Sequence, residues 1–332
     1  MGPLGCAVSE GGSVRTGEQV SGRADRAPGG AGPVASFVRI ARFTAVMYKP
    51  HYLLYGILWV LALEGTAALV TDPEASWRPS WATALRIVVV AVVLLYLRMV
   101  DEQKDLDYDR VHNPDRPLVT GAVTAWDLRA AMAVIAVGAI AASLLLSIGS
   151  AVAIAAVLGY GLGLWGLERI SEPIRRNILL NLVVTYPVQL LVTGYVVVSA
   201  IDTGDVASGW QAAAAAVIFA GAFLQFEFAR KTSRIPRPGE MYYSNALGTA
   251  GSVFAALGCA VVAVAADLAL VRPWEHQGAR AVLGWIPLVL LVIPLLGGLR
   301  FMRSADEEYP VIPAVLFILT LYLALIVQAV AG

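Results

Sequence analysis

Acidic side chains are concentrated in the segment 101–109, directly after a long apolar run. If the helix formed by that run continues, Asp101, Asp105 and Asp109 recur every four residues on one face, with Glu102 beside them. Stacked carboxylates repel one another, so a positive partner is needed to hold them together. Magnesium takes oxygen ligands and is typically bound by one or two carboxylates together with phosphate oxygens. The spacing therefore suits a magnesium ion that bridges these carboxylates to a diphosphate.

Two other interpretations of this segment stay open on the residues alone. A charged run that follows an apolar one can be a solvated loop, although the helical spacing favours a site. Calcium fits less well than magnesium, because the twelve-residue calcium loop with its central glycine is absent. His112, just beyond the acids, is expected to be a loop residue and not a ligand.

The composition indicates that membrane-spanning helices position these residues. Of the 332 residues, 58% are hydrophobic and 14% charged, against about a quarter charged in an ordinary soluble domain. A helix needs roughly 20 apolar residues to cross a bilayer core about 30 Å thick. We therefore predict an all-α, polytopic transmembrane bundle of about nine spans. The predicted spans are 51–71, 82–100, 126–147, 151–168, 178–200, 210–229, 246–269, 282–300 and 311–330.

The distribution of basic residues predicts the orientation of the bundle. With the N-terminus inside, 20 of the 24 Lys and Arg residues lie on the cytoplasmic side, and only Arg78, Arg86, Arg272 and Arg280 lie outside. An odd number of spans fits this bias. Glu64 is the one charged residue within the first span, and we expect it to lie toward the outer side and reach water. The sequence thus predicts an integral protein of the cell membrane whose active site faces the cytoplasm.

The N-terminal segment differs from the rest of the chain. Residues 1–35 are rich in Gly, Ser and charge and lack the apolar core of a signal peptide. We predict a disordered cytoplasmic tail over 1–35 and one transmembrane domain over 36–332. Cys6 and Cys259 lie far apart in the sequence, which indicates neither a disulfide framework nor a metal site.

The acidic segment and its continuation resemble the UbiA superfamily of intramembrane prenyltransferases. The first signature of that family reads Asn-Asp-x-x-Asp-x-x-x-Asp and is followed by Pro-Asp/Glu-Arg-Pro-Leu. Here Asp101 stands for the usual Asn and Glu102 for the usual Asp, so both replacements remain oxygen ligands, and 114–118 matches the ending. The resemblance extends over most of the chain after residue 36 and agrees with nine spans.

The second acidic motif departs from the family pattern. UbiA proteins carry Asp-x-x-x-Asp after the sixth span, whereas the equivalent stretch here holds Glu227 followed by Arg230 and Lys231. Glu240, farther along the chain, is a further candidate. The combination of Asp-Glu-x-x-Asp with Glu-x-x-Arg-Lys is similar to a variant subgroup of UbiA-like proteins.

The resemblance implies a magnesium-dependent prenyltransferase that moves an isoprenoid chain from a prenyl diphosphate to an aromatic or other lipophilic acceptor. The implied metal ligands are Asp101, Glu102, Asp105, Asp109 and Glu227. The implied catalytic residues are Asp105, Asp109 and Glu227, and the implied diphosphate-binding residues are Arg116, Arg230 and Lys231. Departure of the diphosphate would leave an allylic cation, which needs a dry cavity.

Two other functions stay open at this point. One is an intramembrane terpene cyclase, in which the chain's own double bond traps the cation. The other is a membrane transporter, which we expect less because the acids gather at one face and not near the bilayer midplane. The partners expected for the leading function are the prenyl diphosphate, a lipophilic acceptor and membrane lipid, with no nucleic acid.

Overall fold

The computed structural model describes residues 32–74 and 76–331, and short loops connect the helices that these residues form. The helices are α1 (Pro33–Met47), α2 (Pro50–Thr71), α3 (Trp81–Lys104), α4 (Leu106–His112), α5 (Ala125–Leu144), α6 (Ile148–Ile170), α7 (Glu172–Arg176), α8 (Ile178–Thr185), α9 (Pro187–Asp202), α10 (Trp210–Ala214), α11 (Ala216–Arg230), α12 (Tyr243–Val271), α13 (Gly278–Leu290), α14 (Val292–Arg303) and α15 (Val311–Ala331), with a 3₁₀ turn at Pro273–Glu275. Within the described ranges, extended pairing is limited to one bridge between Ser233 and Glu308.

The all-α architecture and the number of spans are confirmed. Nine helical segments of the described chain are long and apolar enough to cross a membrane. They are α2, α3, α5, α6, α8 with α9, α10 with α11, α12, α13 with α14, and α15, and we number them as spans one to nine. The protein is therefore an integral membrane protein. We call the end of the bundle where α3 ends the motif end and the opposite one the far end.

Several spans are interrupted, because proline and glycine disturb the helical hydrogen bonding of the backbone. Span five breaks at Tyr186, just before Pro187, which cannot donate a backbone hydrogen bond. The hydroxyl of Tyr160 donates to the carbonyl of Val184 at 2.8 Å, beside this break. In α12, Gly248 adopts a left-handed φ of 70°, which glycine tolerates at no steric cost.

Helix α1 precedes the first span and is fastened to the third. Arg39 Nε lies 2.7 Å from Asp127 Oδ2 in α5, and the hydroxyl of Ser36 donates to the same carboxylate. Val34 and Phe37 stay exposed on α1, as expected of a helix that lies along a lipid surface. Because α1 begins at Pro33, helix replaces the last residues of the predicted tail, and the prediction for residues 1–31 lies outside the described residues.

The far end is held by a buried ion pair, and the expectation that Glu64 reaches water is wrong. Glu64 Oε2 lies 2.5 Å from Arg86 Nη1, and both side chains are fully buried. Arg86 also meets Asp205 Oδ2 at 2.6 Å, while the hydroxyl of Thr83 donates to Glu64. Burial opposes ionisation of Asp205, yet hydrogen bonds from Arg86 and Thr203 lower its pKa below the usual range. The buried carboxylate of Glu64 and the partly exposed one of Asp205 thus share one guanidinium, which joins spans one, two and five.

Candidate active site

The first acidic motif occupies the junction between α3 and α4. The four-residue spacing suggested one continuous helix through the motif, but the structure has a break there. Asp105 separates α3 from α4 with φ −91° and ψ 9°, a sparsely allowed conformation found at many active-site residues. The backbone N–H of Asp105 still donates to Asp101 O and that of Asp109 to Asp105 O, each at 2.8 Å. Four-residue helical bonding therefore continues across the break.

Two acids of the motif are buried and share Arg116. Glu102 and Asp109 are each 1% exposed. Arg116 Nη1 lies 3.1 Å from Glu102 Oε1 and 2.5 Å from Asp109 Oδ2. Arg98 binds Glu102 at 2.6 Å, and Asn113 donates to Asp109 at 2.8 Å. The 114–118 turn thus returns a guanidinium to the motif, where it compensates two carboxylates.

The other two acids of the motif remain open. The side chains of Asp101 and Asp105 are 49% and 40% exposed, and both lie near the ammonium group of Lys104. Partial burial raises the pKa of Asp105 to about 6, and the carboxylates of Asp101 and Glu168 add to the rise while Lys104 opposes it. This part of the site therefore carries more negative charge than Lys104 compensates.

The second motif is a compact group around Glu227, near the end of α11. Glu227 is 6% exposed and binds Arg230 at 2.6 Å and Lys231 at 2.8 Å. Tyr243 OH, at the start of α12, completes the group at 3.5 Å. Glu240 does not join it. Its carboxylate, 31% exposed, lies 3.9 Å from Arg237 instead.

Tyr108 links the first motif to the loop that follows the second. Its ring, in α4, stacks on that of His112 with 4.3 Å between ring centroids, and His112 is the last residue of this helix and not a loop residue as predicted. Burial raises the pKa of Tyr108, and the negative charges of Glu240 and Asp109 raise it further. Glu240 is therefore near enough to α4 to act on it electrostatically. Because α3 and α11 belong to the second and sixth spans, they run in the same direction, and both motifs lie at the motif end of the bundle.

The predicted magnesium ligands fit a site that a substrate completes. No group of three or more His, Cys, Asp or Glu side chains in the described part of the chain is arranged to hold a metal ion by itself. Magnesium usually needs only one or two carboxylates and takes its other ligands from water and phosphate. Asp101 and Asp105 have open carboxylates, and Glu102 Oε2 is buried without a hydrogen-bond partner. Carboxylate oxygens are the ligands that a hard cation prefers, with water and phosphate completing its coordination.

Aromatic side chains lie deeper in the bundle than Glu227. Phe223, one helical turn before Glu227 in α11, has its ring centroid 6.1 Å from that of Tyr186. Tyr322 packs on Phe219 at 5.3 Å, and its hydroxyl lies 3.3 Å from that of Tyr55. Spans one, five, six and nine contribute these rings. We call them the aromatic cluster.

The structure adds residues that sequence reasoning missed. Lys104 Nζ lies 3.1 Å from Glu168 Oε1, at the end of α6, and the amide of Asn181 in α8 donates to the same oxygen at 3.1 Å. Glu168 is 5% exposed. The only sequence signal was a charge at the end of an apolar run, which is also how spans ordinarily end. Tertiary contact alone identifies these residues as neighbours of the motif.

Comparison with known proteins identifies the fold. No family model and no curated protein matches the sequence. Among solved structures, a UbiA homolog from Aeropyrum pernix K1 is 20% identical, with a TM-score of 0.55 over 80% of this chain and 96% of that one. A UbiA homolog from Archaeoglobus fulgidus bound to GPP and Mg²⁺ is 13% identical, with a TM-score of 0.56 over 90% of this chain and 100% of that one.

A third similar structure comes from a study of digeranylgeranylglyceryl phosphate synthase in membranes. It is 13% identical, with a TM-score of 0.58 over 89% of this chain and 100% of that one. At such identities, these likenesses establish the fold. The predicted resemblance to the UbiA superfamily is confirmed at that level: the chain has the UbiA fold.

Proposed function

We propose that this chain is a UbiA-superfamily prenyltransferase, which uses magnesium to transfer an isoprenoid chain from a prenyl diphosphate to an aromatic or other lipophilic acceptor. The observation that carries the proposal is the presence of two acidic motifs, each braced by basic side chains, at one end of a UbiA-fold bundle. Structures of the same fold with GPP or DMAPP and Mg²⁺ bound support the substrate class and the metal.

The acidic residues divide into open and braced carboxylates. Asp101 and Asp105 would offer their open carboxylates to magnesium, and Glu102 its unpaired oxygen. Asp109 and Glu227 are already compensated by basic neighbours and would complete the negative field at the mouth of the site. Magnesium, when bound, supplies Lewis-acid neutralisation of the departing diphosphate.

Three cations would contact the diphosphate oxygens. Arg116 binds both of its carboxylates through Nη1, so its other N–H donors remain for an oxyanion. Arg230 and Lys231 are 44% and 28% exposed while they brace Glu227. Charge-assisted bonds of this kind are about twice as strong as neutral ones.

The aromatic cluster suits the apolar chain of the donor and the cation formed from it. Aromatic faces stabilise a nearby cation, and a closed apolar setting keeps water from capturing it. Tyr186 contacts Phe223, which precedes Glu227 by one helical turn of α11. The acceptor would approach the allylic carbon at this depth.

The decisive experiment measures magnesium-dependent diphosphate release by the purified protein in detergent, with a panel of prenyl diphosphates and a lipid extract as acceptor source. We expect Asp105→Asn and Asp109→Asn each to lower release at least about 100-fold, because each removes a charge that the transition state requires. Asp107→Asn is the matched control, since Asp107 is 95% exposed and, within the described ranges, forms its ion pair with Arg110 alone. Unchanged release in both site variants would refute the metal-site assignment.

Product analysis separates the competing functions. With acceptor omitted, a cyclised hydrocarbon identified by mass spectrometry would favour the terpene cyclase. A prenylated lipid formed only with the extract would favour transfer. Passage of the diphosphate across a vesicle membrane without any release would favour a transporter.

We also propose that the motif end faces the cytoplasm of the cell membrane, with the N-terminus inside, and that the chain belongs to the variant motif subgroup. The excess of Lys and Arg in loops at the motif end supports this orientation. Arg86 is excluded from the outer count because it is buried against Glu64.

A further inference from the structure

Lys104 is unusual among the basic residues of the site because it has three acidic neighbours. Its Nζ lies 3.1 Å from Glu168 Oε1, 3.6 Å from Asp105 Oδ1 and 3.7 Å from Asp101 Oδ1. The side chain is only 12% exposed, although it ends α3 at the motif end. An ammonium group is compact and carries three donors, so it can stand among several carboxylates as a small metal ion does.

These three contacts are not equivalent. The distance to Glu168 is within hydrogen-bond range, whereas the distances to Asp101 and Asp105 exceed it and represent charge attraction alone. Glu168 is itself fixed by the amide of Asn181. The ammonium group is therefore anchored on α6, and the two carboxylates of the motif can be withdrawn from it without breaking a hydrogen bond.

We propose that Lys104 is the internal counter-ion of the magnesium site. It partly compensates the charges of Asp101 and Asp105 before the metal binds and competes with the metal for them, while Glu168 retains the lysine when the metal takes its place. This inference rests on the proposed function, because it requires a divalent ion at Asp101 and Asp105. Glu168 is then a positioning residue, which acts on the metal through Lys104.

The proposal predicts opposite effects for two neutralising substitutions. Lys104→Gln removes the competing charge and should tighten divalent-ion binding about tenfold, the screened effect of one unit charge near half-exposed ligands. Glu168→Gln releases the lysine from α6, lets it settle on Asp101 and Asp105, and should weaken binding. In the Lys104→Gln background, Glu168→Gln should have little effect, because the lysine through which it acts is gone.

The measurement is Mn²⁺ binding to the full-length protein in detergent, followed by electron paramagnetic resonance without substrate. Arg110→Gln is the matched control, since it removes a cation from the same segment whose partner is the exposed Asp107, and it should change the affinity less than about twofold. A damaged fold cannot imitate a tighter site, so Lys104→Gln is informative even if its unfolding temperature falls.

The outcomes distinguish this inference from the proposed function. Wild-type binding that is absent, or that Asp105→Asn leaves unchanged, overturns the metal site and the counter-ion together. Binding that depends on Asp105 but does not tighten in Lys104→Gln overturns the counter-ion alone. Equal weakening by Glu168→Gln in both backgrounds would mean that Glu168 contributes only its own charge, and this also overturns the role assigned to Lys104.

Discussion

At the scale of single residues, the recurring feature is an arginine that pairs with two carboxylates. Glu102 and Asp109 share Arg116, and at the far end Glu64 and Asp205 share Arg86. In each case one guanidinium compensates two carboxylates that come from different segments. Removing Arg86 therefore leaves two uncompensated acids, whereas removing Glu64 leaves the Arg86–Asp205 pair. At the motif end, Glu102 would keep Arg98 if Arg116 were removed.

We expect Arg86→Met to destabilise the protein much more than Glu64→Gln. Arg86→Met leaves the Glu64 carboxylate buried without a counter-charge, which costs about 3–5 kcal/mol, while Arg86 in Glu64→Gln keeps Asp205. Denaturant unfolding in detergent measures the difference. Equal losses of unfolding free energy in the two variants would contradict this account, and diphosphate release by Glu64→Gln below its unfolding temperature should match the wild type.

The acids of the first motif could be predicted from sequence because they lie in one helical register. Several neighbours of these acids could not be predicted in the same way. Glu168 and Asn181 come from other helices, and Arg98 lies within an apolar run where a single cation has no distinguishing pattern. Helical periodicity predicts which side chains share a face, but it does not identify the neighbouring helix that this face contacts.

At the scale of helices, the predicted spans agree with the observed ones to within a few residues. Length and apolar composition dictate such segments directly. The interruptions at Tyr186, Ala215 and Leu291 were not predicted. Pro187 was visible in the sequence, but proline is tolerated within membrane helices when neighbours satisfy the freed backbone groups, so its presence alone does not predict a break.

Close helix contact should make one glycine sensitive to substitution. A Cβ atom at Gly221 in α11 would lie 2.7 Å from the carbonyl oxygen of Cys259 and 2.8 Å from the backbone nitrogen of Ala263, and neither backbone atom can move without shifting α12. We expect Gly221→Ala to lower the free energy of unfolding by about 1–3 kcal/mol. Gly138→Ala, in open space on α5, is the control.

Thermal unfolding followed by size-exclusion chromatography checks this difference. A melting temperature that drops equally in both variants would show that loss of glycine as such is responsible. An unchanged temperature in Gly221→Ala would contradict the tight contact between α11 and α12.

At the scale of the whole molecule, chemistry and structural bracing occupy opposite ends. Both acidic motifs lie at the motif end, and the Glu64–Arg86–Asp205 group holds the far end. The sequence predicted the first location through its motif and through the positive-inside bias. It also predicted that Glu64 lies away from the motif end. It did not predict the burial of Glu64, because the partner Arg86 lies in another span.

We expect the two ends to be labelled from opposite sides of the membrane. Val111, at the motif end, is 73% exposed, and Trp274, at the far end, is 58% exposed. In a chain whose native cysteines are replaced, Val111→Cys should react with an impermeant maleimide in inside-out vesicles and Trp274→Cys in right-side-out vesicles. Labelling of both from the same side would contradict the nine-span arrangement.

The bridge between Ser233 and Glu308 can form only after the later of its two segments has been synthesised. The loop after the second motif is held by Arg234, whose N–H donates to Glu307 O at 2.7 Å, and by Tyr309, whose N–H donates to Thr232 O at 3.1 Å. Ser233 and Glu307 are 74 positions apart. At a translation rate of about 5–20 residues per second, the segment around Glu307 leaves the ribosome roughly 4–15 seconds after the segment around Ser233. A nascent chain stalled before its eighth loop would therefore be inserted in the membrane with its second motif still unfastened.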